Sequence, residues 1–411
     1  MATDPGATES GALARWVEVH RLAVAGGQAE IARDTGARVC WTWLRTSRFA
    51  AVEAMATATL TLGPNASAFY QRGWARSSTG RPWSALEDHQ QALTIYQQAG
   101  DRGNEAATFN NIGLVYDGLG DGRRALDYYH QALPIQREVG DRAGEAATFN
   151  NIGRVYDGLG DGRRALDYYH QALPILRGVG DRAGEATTFN NIGGVYDGLG
   201  DRQRALDHYH QALPIRREVG DRVGEATTLN NIGHVYDGLG GRQRALDHYH
   251  RALHILRQVG SRAGEAVALN NIGRVYDRLG DRQRALDHYH QALPILREVG
   301  DRAGEAVTLH NIGHAYGGLG DRRRALAHYH RALSILGEVG NRAGEFLTRF
   351  NIAMVHQADG DLDQAIQELE HVVDLGRQVD HPDLEAGTTV LEQLRRHRAE
   401  VHESEPPPAG P

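Results

Sequence analysis

Residues 141–180 read DRAGEAATFNNIGRVYDGLGDGRRALDYYHQALPILRGVG, and the same phrase recurs in register every forty residues from Asp101 to Asp380. That makes seven consecutive copies without an insertion. A fixed period of this length marks units that stack side by side, each contacting only its neighbours. Each unit carries two helix stop-and-start signals, Gly140-Asp141 and Gly160-Asp161. Glycine supplies the left-handed residue that ends a helix, and aspartate caps the next by accepting from its orphan N–H groups. Ser261, Asn341 and Gly241, each able to cap, stand where aspartate is missing. The spacing predicts helix A at about 142–159 and helix B at about 162–179, joined as antiparallel neighbours.

At about 100° per residue, Phe149, Ile152, Gly153, Tyr156 and Leu159 share one face of helix A. Ala147, Asn150, Asn151, Arg154, Asp157 and Gly158 share the other. Helix B offers Ala165, Leu166, Tyr169, Ala172, Leu173 and Leu176 to the same core, with Gly153 leaving room for close approach. Two helices cannot cover these side chains, so each unit needs the next.

Ile152, Gly153, Tyr156, Ala165, Tyr169 and Ala172 resemble the tetratricopeptide repeat pattern in type and spacing. The longer unit, with its NNIG and ALDYYHQAL phrases, is similar to the forty-residue subclass of kinesin light chains, Pins-type G-protein regulators and many actinobacterial repeat proteins. The resemblance implies an all-α, right-handed solenoid of antiparallel helix pairs, about eight tetratricopeptide repeats between helical caps. The units run 61–100, 101–140, 141–180, 181–220, 221–260, 261–300, 301–340 and 341–380, the first of them degenerate. Residues 1–12 are expected to be disordered, 13–60 to form an irregular helical cap containing an eroded repeat, 381–402 a capping helix, and 403–411 a disordered tail. Pro134, Pro174, Pro214 and Pro294 fall inside helix B. Interior proline removes a hydrogen bond and crowds the preceding turn, which predicts a kink or early end there, tolerated because it faces outward.

Net charge is −7, which argues against nucleic-acid or anionic-membrane partners. All 45 basic residues are arginine, so chemistry that needs a lysine amine is excluded. The single cysteine, Cys40, rules out a disulfide framework and reads as a buried structural thiol. No signal peptide or membrane span is legible, so a cytoplasmic location is expected. No cofactor, metal site or catalytic constellation is expected. The glycine-rich Gly118–Gly122 follows a helix, not the strand that a phosphate loop requires. Histidines form two stripes on helix B, at His130, His170, His210, His250, His290 and His330, and at His208, His248, His288 and His328. Residues two apart point away from each other, so they read as solvated or inter-repeat groups.

The polar face of helix A is the expected binding surface for an extended peptide. Stacking lines up Asn111, Asn151, Asn191, Asn231, Asn271, Asn311 and Asn351. Side-chain amides both donate and accept, so such a row can pair with peptide main chain whatever its side chains. The resemblance implies this use on the concave surface. Beside it runs a second row, Asn110, Asn150, Asn190, Asn230 and Asn270, which also fits a tie between repeats. A variable position follows: Leu114, Arg154, Gly194, His234, Arg274, His314 and Met354. Units 101–140 and 141–180 differ at only five places, and this is one. One turn on lie Asp117, Asp157, Asp197, Asp237 and Asp277, three residues from the variable position, for a surface of mixed charge. The function expected is a non-catalytic interaction scaffold. Two alternatives remain: a sensor acting with a signalling ATPase or transcriptional regulator, and a peptide-sensing DNA-binding regulator with a helix-turn-helix at 28–45. Oligomeric state is not legible.

Overall fold

Asp141 accepts at Oδ1 from the Gly144 N–H (2.9 Å), and Asp161 accepts from the Arg164 N–H (3.1 Å). Gly140 and Gly160 hold φ of 71° and 79°, the left-handed region that ends the helix before each cap. Asn341 caps in the same way, through the Gly344 N–H. Ser261 and Gly241 occupy the slot with no side-chain cap bond. These junctions recur, and the computed structural model, which describes residues 5–379 and 381–404, is helical throughout its regular elements with no strand among the described residues.

In chain order the helices are α1 (Pro5–Ala25), α2 (Ala29–Arg45), α3 (Phe49–Leu60), α4 (Ala66–Ser78), α5 (Pro82–Ala99), α6 (Arg102–Gly118), α7 (Gly122–Glu138), α8 (Arg142–Gly158), α9 (Gly162–Val179), α10 (Arg182–Gly198), α11 (Arg202–Glu218), α12 (Arg222–Gly238), α13 (Arg242–Gln258), α14 (Arg262–Arg278), α15 (Arg282–Val299), α16 (Arg302–Gly318), α17 (Arg322–Val339), α18 (Arg342–Asp359), α19 (Leu362–Val379) and α20 (Leu384–Ser404). Within residues 1–212 and within residues 213–411, consecutive helices pack as pairs, and helices A of successive repeats also touch. The chain divides into two units, residues 1–212 and 213–411, each a stack of such pairs of the α-solenoid type.

Inside a repeat the helices are held at contact distance by a glycine. An added Cβ on Gly153 would stand 2.7 Å from Cε1 of the buried Tyr169 ring, and Gly113, Gly193, Gly233, Gly273 and Gly313 meet their own tyrosines in the same way. In the degenerate first repeat His89 takes the tyrosine's place against Gly73. The core is shared between repeats: Ala125, Tyr129 and Leu133 of one pair pack with Phe149, Ile152 and Val155, and these with Ala172, Ile175 and Leu176. An ion pair with a buried carboxylate and exposed arginines adds a second tie. Glu145 is 3% exposed and accepts from Nε of Arg137 in the preceding helix (2.7 Å) and from Arg142. The equivalents Glu185, Glu225, Glu265 and Glu305 repeat both contacts.

Several expectations are corrected. Leu159 is exposed rather than core, because it sits past the last helical turn at the C-cap. Helix B runs at least four residues beyond each interior proline, ending at Glu138, Val179, Glu218 and Val299, where the proline-free α13 and α17 also end. These prolines are exposed, so solvent can satisfy the carbonyl left without its N–H. Residues 28–45 contain no helix-turn-helix: α2 is continuous through Gly36, whose missing Cβ makes room for His20 and Thr59. Helix α1 begins at Pro5, replacing the disorder expected for 5–12, since proline suits a first helical turn. Residues 1–4 and 405–411 lie outside the described residues; Glu403 and Ser404, assigned to the disordered tail, instead end α20. In α20, Leu391 and Leu394 are buried against α19 residues.

Gly153→Ala is expected to cost about 1–3 kcal/mol through overpacking against Tyr169. Gly178→Ala, where an added Cβ meets nothing, should stabilise by about 0.5–1 kcal/mol. Thermal melting of the two variants checks for these opposite signs.

Candidate peptide-binding face

Four positions of helix A share the face turned away from helix B: those of Ala147, Asn151, Arg154 and Gly158, spaced four, three and four apart. Every member of the first asparagine row is half-buried. In the first unit, Asn111 hydrogen-bonds Tyr70, whose hydroxyl burial pushes up to about 12 against the opposing effect of that bond. Asn151 donates from Nδ2 to Asn110 Oδ1 (3.1 Å). In the second unit, Asn351 is paired with His310 Nε2 (3.3 Å), and Asn231 is engaged as well. Asn191, Asn271 and Asn311 make no side-chain hydrogen bond among the described residues, so each presents a free donor and acceptor.

The second row is the seam between successive helices A. Asn110 Oδ1 accepts from Thr148 Oγ1 (3.1 Å), Asn150 Oδ1 from Thr188 Oγ1 (2.9 Å), and Asn270 Nδ2 donates to Thr308 Oγ1 (2.5 Å). His310 stands in the same row and pairs through Nδ1 with Thr348 Oγ1 (2.9 Å). Asn190 is engaged too, and Asn230 is half-buried with its Oδ1 enclosed.

The charged groups pair across repeats rather than at three-residue spacing within a helix. His314 Nδ1 lies 2.7 Å from Asp277 Oδ2, and that bond raises the imidazole pKa above its ordinary value. Arg154 pairs with Asp117. Asp237 is buried and takes Nη1 of Arg278 at 2.6 Å and Nε of Arg274 at 3.8 Å, while Arg274 also reaches His234 Nδ1 at 3.3 Å. Asp197 is engaged. The carboxylate of Asp157 is exposed and makes no hydrogen bond or ion pair among the described residues. The within-helix pairing fails because the next helix A sets its cation directly beside the aspartate, 37 residues back.

Two clefts open on this face. The first, about 440 Å3, is lined by Trp74, His89, Asn110, Asn111, Leu114 and Asn151. Trp74 meets Trp41 edge-on at 5.8 Å, and both rings are exposed. His89 is fully buried and burial holds its pKa down to about 4, so it stays neutral. The second cleft, about 250 Å3, lies between Val307, His310, Asn311, Leu336, Leu347 and Thr348. Val267, Val307 and Leu347 are each about half exposed, forming an apolar row one turn before the asparagines. Sequence reasoning missed Trp74, His89 and this valine row. The signals were the tryptophans crowded before residue 84 and the shift from Ala147 through Thr187 and Thr227 to Val267, Val307 and Leu347.

Cys40 is buried and its thiol is pushed up to about 12, so it is an inert core group. Among the described residues no group of three or more His, Cys, Asp or Glu is placed to hold a metal, and no helix is long and apolar enough to cross a membrane. Each ring of the half-buried His208, His248, His288 and His328 stripe stacks on a helix A tyrosine of its own repeat at about 5.5 Å, and His288 also meets His250 of the preceding repeat edge-on at 6.2 Å, an inter-repeat contact as expected.

Residues 104–178, 184–258, 225–298, 264–338 and 348–377 match the tetratricopeptide repeat family, and the chain belongs to it. No curated protein sequence matches the chain. Solved structures share the fold at low identity. The apo form of the quorum sensor NprR from B. thuringiensis is 16% identical over 81% of this chain and all of that one, with a TM-score of 0.63. A Rap protein complexed with competence and sporulation factor is 15% identical over 90% of this chain and 99% of that one (TM-score 0.56). A signal-transduction ATPase with a tetratricopeptide repeat sensor from Pyrococcus horikoshii is 14% identical over 89% of this chain (TM-score 0.63), and the chain spans 54% of its length.

His310 holds the slot that is asparagine in five other repeats, and burial lowers its pKa from 6.5 to about 4. A depressed histidine contributes stability above its unfolded pKa and loses it as pH falls. His310→Asn is therefore expected to lessen the loss of stability between pH 7.5 and pH 5 by about 2 kcal/mol. Denaturant unfolding at the two pH values measures it, with the neighbouring His314 present in both proteins.

Proposed function

We propose that this protein is a non-catalytic scaffold whose helix A face binds an extended peptide or partner segment. One observation carries the reading: in residues 213–411 Asn271 and Asn311 hold half-exposed amides with no side-chain partner among the described residues, as Asn191 does in residues 1–212, while Asn110, Asn150 and Asn270 of the adjacent row bond threonines of the next repeat. Unpaired amides repeated along a stack match the main chain of an extended ligand, which presents its own donors and acceptors at intervals. The clefts at Trp74 and at Val307 and Leu347 supply apolar contact beside them, which confers side-chain preference.

A regulatory variant of this reading has the scaffold act as the sensor of a separate signalling ATPase or transcriptional regulator. The likeness to the Pyrococcus horikoshii protein, named for its repeat sensor, favours it. Recovery of an ATPase or a regulator with the full chain from its native cytoplasm supports this variant, and its consistent absence removes it.

For the scaffold itself, captured partners are mapped to a peptide and its affinity measured. The combined Asn191→Ala, Asn271→Ala and Asn311→Ala variant should bind about a hundredfold more weakly at unchanged helicity, at roughly 1 kcal/mol per lost hydrogen bond. Unchanged affinity would sink the proposal.

A further inference from the structure

Three aspartates on the helix A face show how the molecule fills its own cation positions. Arg154 reaches Asp117 from the next repeat, Arg274 and Arg278 reach Asp237, and His314 reaches Asp277 with Arg282 nearby at 3.9 Å. The cations come from three places: the variable position of the next helix A, the residue four beyond it, and the first turn of helix B. Around Asp157 these places are Gly194, Gly198 and Gly162.

The space is open as well as uncharged. A Cβ on Gly198 would meet nothing within 4 Å, and one on Gly194 only the Tyr209 hydroxyl at 3.8 Å. Gly162 is more closely packed, its added Cβ meeting Val195 at 3.0 Å, and it carries no side chain to reach from there. Asp157 keeps a carboxylate with no partner among the described residues. Although it is exposed, desolvation by its neighbours raises its pKa above the usual carboxylate range. The buried Tyr169 and Tyr209 lie close enough for its charge to raise their own pKa values further. An anion in this setting gains from a cation, and each equivalent aspartate described above has one.

We infer that Asp157, with the gap over Gly194 and Gly198, is a subsite for a basic side chain of the bound peptide, an arginine or lysine that completes from outside the pair Arg154 makes with Asp117 from inside. Asn151 on the same helix and the free Asn191 on the next sit one turn before this gap, so a peptide main chain paired with them sets its side chain over Asp157. The subsite rests on the peptide-binding reading above and adds to it a ligand class and a register.

The test pans a random-peptide phage library on the full chain, on Asp157→Asn, on Gly194→Arg and on Arg154→Gly. Equal melting temperatures of wild type, Asp157→Asn and Gly194→Arg establish that these fold alike; arginine already occupies the equivalent site at Arg154 and Arg274. The wild type should enrich peptides with arginine or lysine at one fixed position. Asp157→Asn and Gly194→Arg should lose that enrichment, and Arg154→Gly, which empties the slot over Asp117, should gain a second. A synthetic wild-type-selected peptide should bind about tenfold more tightly than its citrulline counterpart, and Asp157→Asn should abolish the difference. Peptides selected without a basic position, or a basic position that survives in Asp157→Asn, overturn the subsite and leave the scaffold reading standing if those peptides fail on the asparagine variant. If the wild type selects no peptide, the scaffold reading falls and the subsite with it.

Discussion

A glycine facing a tyrosine ring sets the spacing on which the rest depends. With Tyr169 buried against the backbone of helix A at Gly153, the two helices of a repeat cannot drift apart or slide without opening a void. The pair then exposes Phe149, Ile152 and Leu176, which only the repeats on either side can cover. Burial of this kind is nearest-neighbour by construction, and each added repeat receives the same geometry as the last. Equivalent side chains on helix A therefore stand in rows without any need for the rows to stabilise the fold.

Much of this was legible in the sequence because it is written locally. Glycine followed by a capping residue marks each helix end, and the observed bounds of α8 and α9 fall within a residue of those expected. Misreadings arose where one residue type serves two purposes. Gly36 looked like a turn and is a close-packing contact inside a continuous helix. The prolines looked like helix breakers, yet their outward position leaves the freed carbonyls to solvent. Leu159 follows the apolar period but lies past the helix end, where the period no longer describes direction.

The candidate face was legible as rows, though not in how the rows are paired. Periodicity places Asn150 beside Asn151 but says nothing of the lateral offset between stacked helices. That offset hands Asn150 to Thr188 and leaves Asn191 free. The same offset sets His314 on Asp277 of the preceding repeat, in place of a partner three residues away. Trp74 and His89 went unread although the register sets them at the places of Leu114 and Tyr129, because a tryptophan and a histidine depart there from the residues that define the other units.

Asn110, Asn150 and Asn270 are tied to threonines of the next repeat, whereas Asn191, Asn271 and Asn311 of the first row make no side-chain hydrogen bond among the described residues. Selective 15N labelling of asparagine side chains, followed by NMR titration with a bound peptide, reads both at once. Peptide binding should shift the NH2 signals of Asn191, Asn271 and Asn311 and leave those of Asn110, Asn150 and Asn270 stationary. Movement confined to the second row, or an unmoved first row in a protein saturated with peptide, would contradict it.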